Sequence, residues 1–222
     1  MRCCAPCLAA EHQFGERTAR RDMERYRRAG PDTTTRHLLA ALAAVDLSEA
    51  ALLDVGAGIG VLHHELLGDR FASATHVEAA PAAIAEARAE TERRGHGDRV
   101  RFIQGDFVDL ADDIAPADVV TLDRVICCYP DYISLLTRSA DKARRYYGLS
   151  APRDRWYVRL VTALENLGRR VTGNAFRTFV HPTAAMDRLL HTAGFTLRSR
   201  RATIAWEASL YERKASPAGL SR

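Results

Sequence analysis

Three glycines at alternating positions, Gly56, Gly58 and Gly60, stand between a short apolar run and a helix-like stretch. That spacing removes the side chains that would keep a ligand away from the backbone. Glu78 closes the next apolar run, where a carboxylate can accept from both hydroxyls of a ribose. Gly105-Asp106-Phe107 closes a third. Asp106 there can accept from an adenine amino group, and Phe107 can cover the ring face. A glycine loop followed by a ribose acid and an adenine acid is the chemistry of nucleoside binding. The loop alone also fits an ordinary tight strand–helix turn. The dinucleotide fingerprint Gly-x-Gly-x-x-Gly, begun at Gly56, would need its third glycine at position 61, which is Val61. The glycine comes one residue early, at Gly60, which argues against NAD or FAD.

These residues need elements to hold them. Residues 14–28, with Phe14, Met23 and Tyr26 among many charges, predict an amphipathic helix that Gly30 and Pro31 end. Asp32 or a following threonine can cap a second helix running to Val45, with Leu38, Leu39, Leu42 and Val45 at helical spacing. The period then changes. Strands are expected at 51–55, 75–78, 100–104, 118–123 and 147–151, with helices at 59–67, 81–94 and 131–145 between them. Helices at 154–170 and 182–193 and strands at 195–201 and 204–212 complete the chain. Such alternation means parallel strands joined by right-handed helical crossovers.

Leu52-Leu53-Asp54-Val55-Gly56-Ala57-Gly58-Ile59-Gly60 resembles the first motif of class I S-adenosylmethionine-dependent methyltransferases. Glu78, Gly105-Asp106-Phe107 and the run Asp118–Asp123 resemble that family's succeeding motifs in order and spacing. The likeness covers roughly residues 35–155. It implies a Rossmann-like αβα sandwich with a seven-stranded, mostly parallel sheet carrying one antiparallel strand. It also implies S-adenosyl-L-methionine as cofactor, held by Asp54, Gly56, Ala57, Gly58, Gly60, Glu78, Ala79, Asp106, Phe107 and Asp123. A narrower similarity is to magnesium-protoporphyrin O-methyltransferases, through Tyr129-Pro130, the aromatic-to-histidine stretch Phe176–His181 and Gly194-Phe195. It does not carry the porphyrin substrate across, because Cys127-Cys128 and 152–156 depart from that pattern.

Methyl transfer is an in-line displacement at a sulfonium carbon, so the protein mainly positions and desolvates. Residues after the fourth strand face the acceptor in this fold. Asp123 and Arg124 are therefore expected to help shape the cofactor or acceptor pocket, and Tyr129 to orient the acceptor; the alternative is that Asp123 and Arg124 merely pair and Tyr129 packs. His181, before Pro182 at a helix start, is the candidate base, with a hydrogen-bonded structural histidine as the alternative. Arg153, Arg155 and Trp156 fit either an anionic or aromatic acceptor or an arginine stacked on tryptophan. His63 and His64, adjacent on one helix, point to different faces and make a poor metal pair. No metal is expected.

The five cysteines, Cys3, Cys4, Cys7, Cys127 and Cys128, are odd in number and clustered, which argues against a disulfide framework. Arsenite methyltransferases resemble this chain in placing a cysteine just after the fourth strand, so arsenite or another thiolate-bound substrate is an alternative. The chain has 222 residues and a net charge of +4, almost all of its basic side arginine. Acidic residues are interspersed throughout, so nucleic acid is not an expected partner and an RNA methyltransferase is a minor alternative. No apolar run approaches the roughly 20 residues that span a bilayer, and no membrane partner is expected. Residues 1–45 are expected to form a helical lid or a dimer surface, 46–214 the cofactor-binding domain and 215–222 a flexible tail. The reading as a whole is a cytoplasmic small-molecule methyltransferase, most plausibly acting at oxygen. A nicotinamide oxidoreductase and a non-catalytic nucleoside-binding module are its rivals from other classes.

Overall fold

A computed structural model of the chain describes residues 15–68 and 70–214. The helices are α1 (Glu16–Ala29), α2 (Thr33–Ala43), α3 (Val61–Leu66), α4 (Pro81–Arg93), α5 (Phe107–Leu110), α6 (Tyr132–Lys142), α7 (Trp156–Val171) and α8 (Thr183–Thr192). The strands are β1 (Ala50–Val55), β2 (Phe71–Glu78), β3 (Val100–Gln104), β4 (Ala117–Asp123), β5 (Ala143–Pro152), β6 (Phe195–Ala202) and β7 (Trp206–Arg213). They form one sheet in the order β3-β2-β1-β4-β5-β7-β6, in which β7 runs antiparallel to β5 and β6. The chain winds outward from β1 to β3, then returns to place β4 on the other side of β1. The carboxyl ends of β1 and β4 are thus a topological switch point, where open α/β sheets bind ligands.

Alternation along the central strands builds a core on each face of the sheet. Leu53, Val55, Val120, Leu122, Tyr147 and Leu149 pack with residues of α6 and α8 on one face. Leu52, Val119 and Tyr146 pack with Leu38 and Leu42 of α2 and Leu62 and Leu66 of α3 on the other. Each fully buried leucine contributes about 2 kcal/mol relative to an exposed one. Asp32 caps α2, its Oδ1 accepting from the main-chain N–H of Thr34 (2.9 Å) and Thr35 (3.0 Å). α1 buries Ala19, Met23 and Tyr26 and packs on α4.

Several boundaries differ from the sequence expectation. β2 begins at Phe71 rather than 75, and β5 at Ala143 where a helix to 145 was expected. Phe71-Ala72-Ser73-Ala74 and Ala143-Arg144-Arg145 have little strand character of their own; pairing with β1 and with Ala117 of β4 extends them. α3 is shorter than 59–67 because Ile59 and Gly60 complete the glycine turn. The short helix α5 had no periodicity to betray it.

Behind the glycine turn sits a buried group of histidines. His63 lies edge-on to His64 (4.3 Å between ring centroids) and to His76 (5.2 Å). Neither ring nitrogen of His76 has a hydrogen-bond partner among the described residues. Burial pushes His76 down to about 3 and His64 to about 4, from an ordinary value of 6.5. Below about pH 6.5 the unfolded chain takes up protons that these buried rings refuse, so their contribution to stability is lost as pH falls toward the folded values. His76→Leu is therefore expected to be at least as stable as the wild type near neutral pH. Its advantage in urea unfolding should grow by about 1 kcal/mol per pH unit below about pH 6. A variant that loses ground on acidification would contradict this account.

Candidate functional site

The glycine turn takes its shape from left-handed backbone at three positions. Gly56, Gly58 and Gly60 have φ of 63°, 55° and 81°, a region costly for residues with a Cβ. Their surroundings differ. A Cβ at Gly56 would meet Val125 Cγ2 at 2.5 Å, and one at Gly60 would meet the His63 ring at 2.2 Å. One at Gly58 would meet nothing within 4 Å. Two glycines are thus required by packing, and the third faces open space over the ends of the strands.

Main-chain groups lock the turn to β2. Gly56 N and Ala57 N donate to Val77 O at 2.8 and 3.1 Å. Glu78, at the end of β2, accepts from Gly58 N through Oε2 (2.9 Å) and from Ala80 N through Oε1 (2.8 Å). Burial pushes the Glu78 carboxyl up, partly offset by those N–H donors. The expected ribose acid thus stands across the glycine turn, with Ala79 between it and Ala80. Asp54, at 2% exposure, accepts from the Thr121 hydroxyl at 2.8 Å. Burial pushes it up to about 8, so it is a neutral carboxylic acid at neutral pH.

Asp106 caps α5, accepting from Val108 N at 2.9 Å, and also accepts from the Tyr129 hydroxyl at 2.9 Å. The expected adenine acid and the expected acceptor residue therefore touch. Phe107 departs from its expected role. At 4% exposure its ring belongs to the core shared by β1, β4 and α6, because the first turn of α5 directs it inward, and it offers no free stacking face.

The acceptor side is built on β4. Asp123 accepts from the Thr35 hydroxyl at 2.6 Å and from the Ser150 hydroxyl, joining α2, β4 and β5; burial pushes its carboxyl up despite these donors. Arg124 has φ of 62°, donates its main-chain N–H to Ser150 Oγ (2.8 Å), pairs with Asp32 and lies 4.8 Å over the Trp206 ring. Its guanidinium thus ties the start of α2 to β7. The arginine–tryptophan stack falls here and not at Trp156, whose ring is exposed. Arg153 instead donates to the carbonyls of Thr203 (2.9 Å) and Ile204 (3.3 Å).

His181 is buried, its Nε2 lying 3.0 Å from Ile126 O and 3.1 Å from Tyr129 O. Two carbonyl partners require that Nε2 carry the proton. Its ring stacks with Tyr132 (4.3 Å) and Phe179 (5.8 Å), and burial pushes its pKa down. This geometry corresponds to the hydrogen-bonded histidine rather than to a free base. It holds the turn 126–129, which Phe179 N also grips through Cys127 O at 2.7 Å. Within that turn Cys127 is buried and Cys128 half-buried, their sulfurs 3.6 Å apart. Cys3, Cys4, Cys7 and Phe14 lie outside the described residues. Among the described residues no cluster of His, Cys, Asp and Glu is arranged to hold a metal ion.

Residues 52–144 match the family model described as "Methyltransferase domain". No curated protein matches the chain. Solved structures with the same fold include magnesium protoporphyrin IX methyltransferase from Synechocystis PCC 6803 with bound SAH (TM-score 0.69, 18% identity, covering 94% of this chain and 100% of that one). An O-methyltransferase family protein from Burkholderia thailandensis gives a TM-score of 0.72 at 16% identity, covering 92% of this chain and 63% of that one. A methyltransferase from Haloferax volcanii, in complex with the Trm112 activator, gives 0.69 at 16% identity, covering 94% and 99%. Residues 52–144 thus match a methyltransferase domain, set in a switch-point fold that these solved structures share.

The glycines provide a paired test. Gly60→Ala should lower stability by about 2–4 kcal/mol in urea unfolding, because a left-handed alanine must also displace the His63 ring. Gly58→Ala should cost only about 1 kcal/mol of stability, yet abolish S-adenosylmethionine binding in calorimetry, since its methyl group fills the open cradle. Equal losses of stability at the two positions would refute this division.

Proposed function

We propose that this chain transfers a methyl group from S-adenosylmethionine to a small molecule, at an oxygen atom. The observation that carries the reading is the pairing of Glu78 with the Gly58 amide at 2.9 Å, beside a glycine whose absent side chain leaves a cradle. The residues fit the cofactor. Glu78 keeps lone pairs for the ribose hydroxyls. Gly56, Ala57, Gly58 and Gly60 present backbone to the nucleoside, and Asp106 has the acceptor capacity an amino group needs. The similar structures from Synechocystis hold SAH and SAM, in keeping with this assignment. Similarity to the O-methyltransferase family protein from Burkholderia thailandensis supports oxygen as the methylated atom.

When bound, the cofactor supplies a methyl group on a positively charged sulfur. The chain's part is to orient and exclude water. Asp54, neutral and buried, backs the glycine turn without adding a charge. Asp123 and Arg124 fix the end of β4, and Tyr129 lines the acceptor side while bonded to Asp106. His181 serves as a positioning residue for the turn that carries Tyr129.

Calorimetric titration tests the reading with S-adenosylmethionine, S-adenosylhomocysteine and NADH against the wild type and Glu78→Ala. The two sulfur nucleosides should bind the wild type. Their affinity should fall about 100-fold in the variant, which loses two hydrogen bonds to a charged acceptor. NADH should not bind. Failure of both sulfur nucleosides to bind the folded wild type, or a preference for NADH, would overturn the proposal.

A further inference from the structure

Helix α7 follows directly on the carboxyl end of β5, at the edge of the sheet that carries the candidate site. Only Val158 of its residues is buried. Its inner face is held by polar contacts: Asn166 Nδ2 donates to Thr178 O at 2.7 Å and Arg169 donates to the Thr178 hydroxyl at 2.6 Å. Its outer face is apolar. Trp156, Leu160, Leu164, Leu167 and Val171 recur at helical spacing and are 75, 52, 60, 57 and 80% exposed. Ile204, 80% exposed, extends the patch, because its carbonyl accepts from the Tyr157 hydroxyl at 2.8 Å beside the start of the helix. An exposed apolar stripe of this kind marks a binding surface.

The charges bordering the stripe select the partner. On the helix Arg170 and Arg159, the latter paired with Asp154 at 2.6 Å, flank its apolar face, and Arg155 stands at its start. Arg155 and Arg170 have no acidic partner among the described residues, whereas Glu165 lies away from the stripe and is 3.5 Å from Arg169. A second copy meeting this helix antiparallel would set arginines against arginines. A surface that is apolar within and anionic at its rim satisfies both features. A tryptophan at one end, leucines along one face and arginines at the border also suit a helix lying in a lipid interface. No helix among the described residues is long and apolar enough to cross a membrane. Lying on a bilayer makes a different demand from crossing one, so the absence of a spanning run does not bear on it. We propose that the outer face of α7, with Ile204, docks this protein on an anionic lipid bilayer.

The test is co-sedimentation of the full chain with vesicles of phosphatidylcholine alone and of phosphatidylcholine mixed with phosphatidylglycerol. The wild type should pellet with the anionic vesicles, and added salt should weaken that binding. Leu164→Glu with Leu167→Glu should reduce it about tenfold or more, since both charges would enter the apolar layer. Arg170→Glu should reduce it by a smaller factor. Thermal unfolding and S-adenosylmethionine calorimetry, unchanged in these variants, separate a docking defect from a folding defect. Wild-type protein that stays in the supernatant with both vesicles would overturn the proposal, as would binding indifferent to the leucine substitutions. Sedimentation velocity showing a dimer that the leucine substitutions dissolve, without vesicle binding, would overturn it in favour of a second copy.

Discussion

The hydrogen bond from the Gly58 amide to Glu78 joins the ends of the first two strands, and the cofactor half of the site is arranged around it. Parallel strands end in a row of main-chain donors and acceptors with no ladder partner, and burial makes unpaired groups costly. Here a carboxylate stands at the end of each of the first four strands, and two of them answer main-chain donors. Asp54 accepts from a hydroxyl, Glu78 and Asp106 from amides of the following turns, and Asp123 from two hydroxyls. Only left-handed glycines turn the chain tightly enough after β1 to bring an amide within reach of Glu78. The residues that close the sheet are therefore the same ones proposed to hold the cofactor.

The cofactor half was legible in the sequence because its chemistry is local. Glycine spacing and acids at strand ends reflect constraints a few residues long. The sheet order follows from strand–helix alternation, and the terminal hairpin from its apolar spacing. The acceptor half was much less legible. Arg124 was expected to shape a pocket, but no pattern near it signals its ties to Asp32 and Trp206, which lie far away along the chain. Phe107 directly follows Asp106 and so suits a stacking ring, and α5 is too short to show the period that would place it in the core. His181 was offered as a base or a structural histidine, and only the folded chain brings it against two carbonyls more than fifty residues distant.

Helix α7 shows the opposite relation. Its boundaries were readable to within about two residues, as is usual for a periodic helix. Amphipathicity in a sequence normally foretells burial of the apolar face. In this fold the polar side turns inward, where Asn166 and Arg169 hold Thr178, and the apolar side turns out. Periodicity specifies that a helix has two faces; only the contacts decide which one meets solvent.

The supports of the two halves differ. The nucleoside half rests on β1, β2 and β3 and the turns between them. The acceptor half hangs on Thr35–Asp123–Ser150 and Asp32–Arg124–Trp206, and so on the start of α2 and the edge of β7. The two meet where Tyr129 bonds Asp106 and where Val125 packs against Gly56. A change in the amino-terminal helices or the last hairpin would therefore reach the end of β4 first, and the glycine turn only across those two contacts.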